Sequence, residues 1–221
     1  MMTFIQIPDY HLTVLMIFLK RGYMQVKIDF SPVEKELRAC QRCFDRMNAS
    51  SSYEEYEENW CDFLNRLEKS FEKLRRACAP AMGKFSSLIS KENTMMGTDP
   101  LLQYLKQARN ADTHSIQDIA KRIPAMYGID FDYSQGGRSV FIKNMTIVGG
   151  TVTRYEGTHP LKMVFTPESI EVKEVENRKK VYHPPTSHLG KPLNTRHPAE
   201  LARLGLDFYQ KLLDKVKAGL A

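Results

Sequence analysis

Apolar residues recur along the first half of the chain with the period of a helix. From Ser31 to Met47, Val33, Leu37, Cys40, Phe44 and Met47 are spaced by four, three, four and three residues, which places them on one face. Ser31-Pro32 reads as the start, with Ser as cap and Pro at the first helical position. Tyr53, Tyr56, Trp60, Phe63, Leu64, Leu67, Phe71, Leu74 and Cys78 continue the pattern for about seven turns until Pro80 ends it. The polar run Asn48 to Ser52 lies between them, so two long helices joined by a short loop are expected to pack antiparallel. Met82 to Ile89 predicts a short helix. Thr98-Asp99-Pro100 opens another, with Leu101, Leu102, Leu105 and Ala108 on its buried face. Ser115-Ile-Gln-Asp118 resembles a capping box, and Ile116, Ile119, Ala120 and Ile123 predict one more short helix closed by Pro124.

The character changes near Tyr127. Ser139 to Tyr155 is rich in Val, Ile, Thr and Phe and is broken by Gly149-Gly150, which predicts two strands and a turn. Lys162 to Thr166 and Ser169 to Val175 predict two more, with Pro167-Glu168 as a turn between them. Ile170 and Val172 alternate with polar residues, as on a sheet with one solvated face. Tyr182 to Pro198 reads as a Pro-rich loop. Leu201, Leu204, Phe208, Leu212, Val216 and Leu220 mark a final helix. The expected fold is mainly α, α+β overall. An up-and-down helical bundle over 24–126 precedes a small antiparallel β region over 127–194 and a helix over 195–221 that packs on the body.

Composition adds limits. The chain has 221 residues, is 42% hydrophobic and 26% charged, and so is globular rather than disordered. A net charge of +6 permits a nucleic-acid partner without requiring one. The apolar stretch His11 to Leu19 is shorter than the roughly 20 residues of a membrane span, and it lacks the flanks of a signal peptide. Residues 1–23 read as an extension. Either translation begins at Met24, the favoured explanation, or the segment packs on the body as a short helix or strand. Cys40, Cys43, Cys61 and Cys78 read as free thiols in a reducing cytoplasm, since the lone C-x-x-C at 40–43 has no further ligands at zinc spacing.

The one cluster suited to chemistry is Arg109-Asn110-Ala111-Asp112-Thr113-His114. Histidine titrates near neutrality and can move a proton to or from a 2′-hydroxyl or a leaving oxygen. Arginine presents a planar, always charged fork to phosphate oxygens. Asparagine can hold a substrate oxygen or fix the histidine tautomer. On an unbroken helix Arg109 and His114 stand about 140° apart, so a bend near Asp112 to Ser115 is expected to turn both into one cleft.

The stretch Asp99 to His114 resembles the signature helix of HEPN-domain proteins, whose mark is Arg, four to six residues, then His, with Asn often directly after the Arg. Arg109, Asn110 and His114 fit that mark, and the likeness covers roughly residues 31–126. It implies a dimeric helical bundle and, in many members, metal-independent ribonuclease activity in toxin–antitoxin, defence or RNA-processing systems. It also implies that His114 is the general acid/base, Arg109 the phosphate clamp and Asn110 a positioning residue, with no cofactor or metal. RNA, a second copy of the chain and a protein antitoxin or regulatory partner are the implied partners. Other members are silent interaction modules. The chain departs from some relatives in having Ile116 where they carry Tyr.

Other residues read more plainly. His183, His188 and His197 lie in a loop without a carboxylate or cysteine at ligand spacing. Arg178-Lys179-Lys180 reads as a solvated hairpin end, although it is able to touch a phosphate backbone. The Gly pairs at 136–137 and 149–150 fit turns and match no phosphate loop.

Overall fold

The computed structural model describes residues 28–220 apart from Ile116, Gly136, Arg138 and the side chain of Gln135; the expectation for residues 1–23 lies outside these. Helix α1 (Ser31–Ala49) is followed by α2 (Tyr53–Ala77), a 3-10 turn (Ala79–Ala81), α3 (Met82–Leu88), α4 (Ser90–Thr98) and α5 (Pro100–His114). Three nested strand pairs come next, and the long helix α6 (Pro198–Leu220) ends the described chain. The fold is mixed α and β, with short antiparallel strands.

Helices α1 and α2 are antiparallel: Glu36, early in α1, meets Lys73, late in α2. Their apolar faces close over Val33, Leu37, Cys40, Trp60, Phe63, Leu64 and Leu67, all buried. Helix α1 begins one residue earlier than expected for a Ser31 cap: Phe30 takes the cap position without a side-chain bond, and the Ser31 N–H donates to Asp29 Oδ1 at 2.9 Å. Ser52 caps α2 by accepting from Glu55 N at 3.1 Å. Helix α4 has no buried residue and no apolar period, so nothing in the patterning predicts it. Helix α6 packs across the body. Lys215 bonds Glu92 of α4 at 2.7 Å, and Lys217 bonds Glu34 of α1 at 2.5 Å. At Gly205 a Cβ would lie 2.5 Å from Leu105 Cδ1 and 3.4 Å from Leu67 Cδ2, so the missing side chain lets α6 approach α5 and α2.

The helix expected over 116–123 does not form. Ser115 is the C-cap of α5, and Ala120–Ile123 is strand β1. The apolar spacing suits a helix, but Ile123 precedes Pro124, which disfavours helical backbone there, and Ser169–Val172 (β6) offers an antiparallel partner. Strand β2 (Met126–Phe131) pairs β5 (Leu161–Thr166), and β3 (Ile142–Val148) pairs β4 (Thr151–Gly157) about the Gly149-Gly150 turn. The segments 161–166 and 169–172 are therefore successive strands of one side of the ribbon, not a hairpin. Pro124 and Pro167 fall in the same gap between the two ladders, where each removes a donor. The directly paired residues Tyr127/Phe165, Ile129/Met163 and Phe131/Leu161 share one face of β2–β5, opposite a polar face with Asp130 and Lys162. Twelve of the fifteen large apolar residues exposed on the described chain lie between Met126 and Phe165, so this ribbon is where the hydrophobic surface remains uncovered.

Two small hairpins complete the β region: β7 (Val175–Asn177) with β8 (Lys180–Tyr182), and β9 (Ser187–His188) with β10 (Lys191–Pro192). The second is held by Asp99, the buried N-cap of α5. Its Oδ1 accepts from Leu102 N at 3.0 Å and from His188 Nδ1 at 3.0 Å, and its Oδ2 accepts from Leu189 N at 2.7 Å. Asp99→Ala removes a cap and leaves buried donors unpaired, so denaturant unfolding is expected to show a loss of about 2–4 kcal/mol.

Glu36 is 3% exposed and receives Arg66 at 3.1 Å and Lys73 at 2.5 Å. Burial alone would raise its carboxyl, but the bonds from Lys73 and Arg66 outweigh burial and hold it below the ordinary value of 4.5. A depressed value means the stabilisation is present above pH 4.5 and is lost as pH falls through the folded-state value. Glu36→Gln should cost about 1–2 kcal/mol at neutral pH and should flatten the fall in stability below that range, read by unfolding titrations at several pH values.

Candidate functional site

Helix α5 runs unbroken through His114, and the backbone turns extended at Ser115. The bend thus follows the motif instead of interrupting it, so Arg109 and His114 stay about 140° apart around one axis. Within one copy the helix does not turn them into a common cleft. Lys106, Asn110 and His114, spaced by four, share a face instead, each about 6 Å further along the helix.

Arg109 and Asp112 turn toward α2. The Arg109 Nε–H donates to Asn65 Oδ1 at 3.3 Å, and its Nη1 donates to Asn110 Oδ1 at 3.2 Å. Asn65 is itself held by its Nδ2 donating to the Cys61 carbonyl at 3.1 Å. Asp112 accepts from the Cys61 thiol rather than pairing with Arg109. Thr113 donates to the Arg109 carbonyl at 2.9 Å. His114 is exposed and makes no hydrogen bond to another described residue. The arrangement therefore offers a free imidazole, an amide oriented by a guanidinium, and a guanidinium that uses two of its five N–H groups on protein.

The neighbouring wall comes from far along the chain. Tyr104, buried in the middle of α5, donates its hydroxyl to the Lys173 carbonyl at 2.6 Å. Gln107 Oε1 accepts from Asn177 Nδ2 at 2.7 Å, across 70 residues of sequence. The Gln117 amide bonds both backbone groups of Glu176, at 2.9 Å and 3.0 Å. These bonds seat the β7–β8 hairpin beside α5 and form a cleft of about 470 Å³ that Lys106, Gln107, Asn110, Arg178, Lys180 and Tyr182 line without any acidic residue. Arg178 and Lys179 form the two-residue turn with φ of 52° and 63°. Such a turn favours Asn-Gly, and each larger side chain costs roughly 1 kcal/mol in that conformation.

The sequence expectation that 178–180 ends a hairpin is correct, but its place beside Asn110 was not visible in one dimension. Lys106, Arg178 and Lys180 are the residues that sequence reasoning did not join to the motif. The three loop histidines are dispersed: His188 is spent on Asp99, His183 faces Glu174 at 3.1 Å, and His197 packs edge-on against Tyr56. Among the described residues, no three His, Cys, Asp or Glu side chains converge as a metal site would require. Cys40, Cys43, Cys61 and Cys78 are free, and Cys40, Cys43 and Cys78 are buried.

Burial first, and then the carboxylate of Asp112, push the Cys61 thiol up, so it stays protonated at neutral pH. With a thiol-reactive dye at neutral pH, Cys61 should label far more slowly than free cysteine. Asp112→Asn should speed labelling at that position, as read by mass spectrometry. No family model matches the chain, and no curated protein and no solved structure matches it.

Proposed function

We propose that the protein is a metal-independent endoribonuclease of HEPN type. The observation that carries this reading is the open stripe on α5, where His114 stands exposed at the helix end and Asn110 lies one turn behind it on the same face. In the proposed reaction His114 takes the proton from a ribose 2′-hydroxyl. The 2′-oxygen bonds to the adjacent phosphorus, the bond from phosphorus to the 5′-oxygen breaks, and that oxygen regains a proton. Asn110, oriented by Arg109, contacts the phosphate, and the unused N–H groups of Arg109 add positive charge as the transition state forms. One imidazole serves as base and then as acid. Pairing with a second copy would supply another, since a two-fold axis repeats every residue of the site. A HEPN enzyme of this kind would act in the cytoplasm within a toxin–antitoxin or defence system, restrained by a protein partner.

The alternative is a dimeric interaction module without catalysis. It is favoured by the ties that hold Arg109 to Asn65 and Asn110, and by the uncovered apolar face of the β2–β5 ribbon.

Incubation with mixed RNA in EDTA separates the two. The nuclease reading expects fragments ending in a 2′,3′-cyclic phosphate, with the rate reduced about 10²- to 10⁴-fold in His114→Ala. Cleavage that survives that substitution defeats the mechanism. No cleavage of any RNA by the wild-type protein selects the interaction module.

A further inference from the structure

Several cations of the described chain are spent on carboxylates: Glu36 alone collects Arg66, Lys69 and Lys73. The cleft between α5 and the β7–β8 hairpin is different. Lys106, Arg178 and Lys180 line it, no acidic residue does, and none of the three forms an ion pair with a described residue. Lys180 Nζ sits 5.0 Å over the Tyr182 ring, which holds the ammonium at the wall without neutralising it. Arg178 is kept in a left-handed turn conformation that an Asn or Gly would adopt more readily. Backbone strain of this kind persists where neighbouring contacts enforce it, here the bonds of Gln107 and Gln117 to the same hairpin. Asn110 belongs both to this cleft and to the His114 stripe.

We propose that the cleft is a phosphate subsite that holds the backbone of single-stranded RNA next to the linkage presented to His114. The proposal rests on the reading of α5 as a ribonuclease site. Three cations without an ion pair among the described residues, set in a concave wall with no acidic residue, suit a polyanion, and a single strand exposes a flexible phosphate backbone that can follow such a wall.

The test uses a short, dye-labelled oligonucleotide with 2′-O-methyl groups throughout, which lacks the attacking hydroxyl and cannot be cleaved by this route. Its affinity is followed by anisotropy against salt concentration. Replacing Arg178→Asn and Lys179→Gly together should raise the melting midpoint by about 4–8 °C, because the turn relaxes. The same pair should weaken binding about tenfold and lower the salt slope by about 0.7 for each phosphate that is no longer neutralised. Lys106→Ala with Lys180→Ala should weaken binding similarly. Unchanged affinity and slope in both variants overturn the subsite, even if wild-type protein cleaves RNA. Weakened binding without cleavage by wild type keeps the subsite and defeats the nuclease reading. Inorganic phosphate that competes as well as the oligonucleotide overturns the assignment to a polynucleotide.

Discussion

A single buried carboxylate sets the position of the helix that carries the candidate chemistry. Asp99 begins α5 by accepting its Leu102 N–H, and the same group accepts from His188 and from the Leu189 backbone. Three donors from two distant segments thus share one acceptor pair that is nearly sealed from water. Leaving buried partners of this kind without their bonds is costly, so the 187–192 hairpin and the start of α5 are held together or lost together. A helix is stiff over its length, and its start therefore fixes where Asn110 and His114 stand. Tyr104 adds a second point of attachment in the middle of α5, through the Lys173 carbonyl.

Packing is distributed unevenly over the rest of the chain. The helical body closes around Trp60, Phe63, Leu101 and Leu201, and Gly205 allows α6 to lie close against Leu105 and Leu67. The ribbon beyond Pro124 is only two strands wide, and a two-stranded ladder gains little stability of its own in water. Its alternation places Tyr127, Ile129, Phe165 and Met163 on one face, yet no element of the described chain covers that face, and each of the four remains exposed. The helical body and the ribbon thus follow the same rule of alternation and amphipathicity with opposite results for burial.

The polar motif divides between two tasks. Arg109 and Asp112, three residues apart, face α2 and engage Asn65 and Cys61, so they anchor α5 as much as they serve any ligand. Asn110 and His114, four residues apart, face outward. A guanidinium that orients a neighbouring amide is consistent with a positioning role for Arg109 within one copy. Direct contact with a phosphate falls to its remaining N–H groups and to the cations across the cleft.

Much of the helical architecture was legible in the amino-acid order, because the helices that build the core announce themselves by local means. Period, proline and cap residues placed α1, α2, α5 and α6 close to their observed limits, and Gly149-Gly150 marked the ribbon turn. Helix α4 escaped because it buries nothing, and 116–123 misled because helical spacing there yields to a strand partner near residue 170 and to Pro124. The residues Arg109, Asn110 and His114 were visible as a motif, but not their directions. The wall that faces Asn110 is placed by contacts that Tyr104, Gln107 and Gln117 make with segments some 60 to 70 residues away. Sequence alone determines which residues have a polar or apolar side, since that follows from neighbours a few positions apart. Tertiary structure decides which cations meet Asn110, since hydrogen bonds across such separations exist only once the chain has closed on itself.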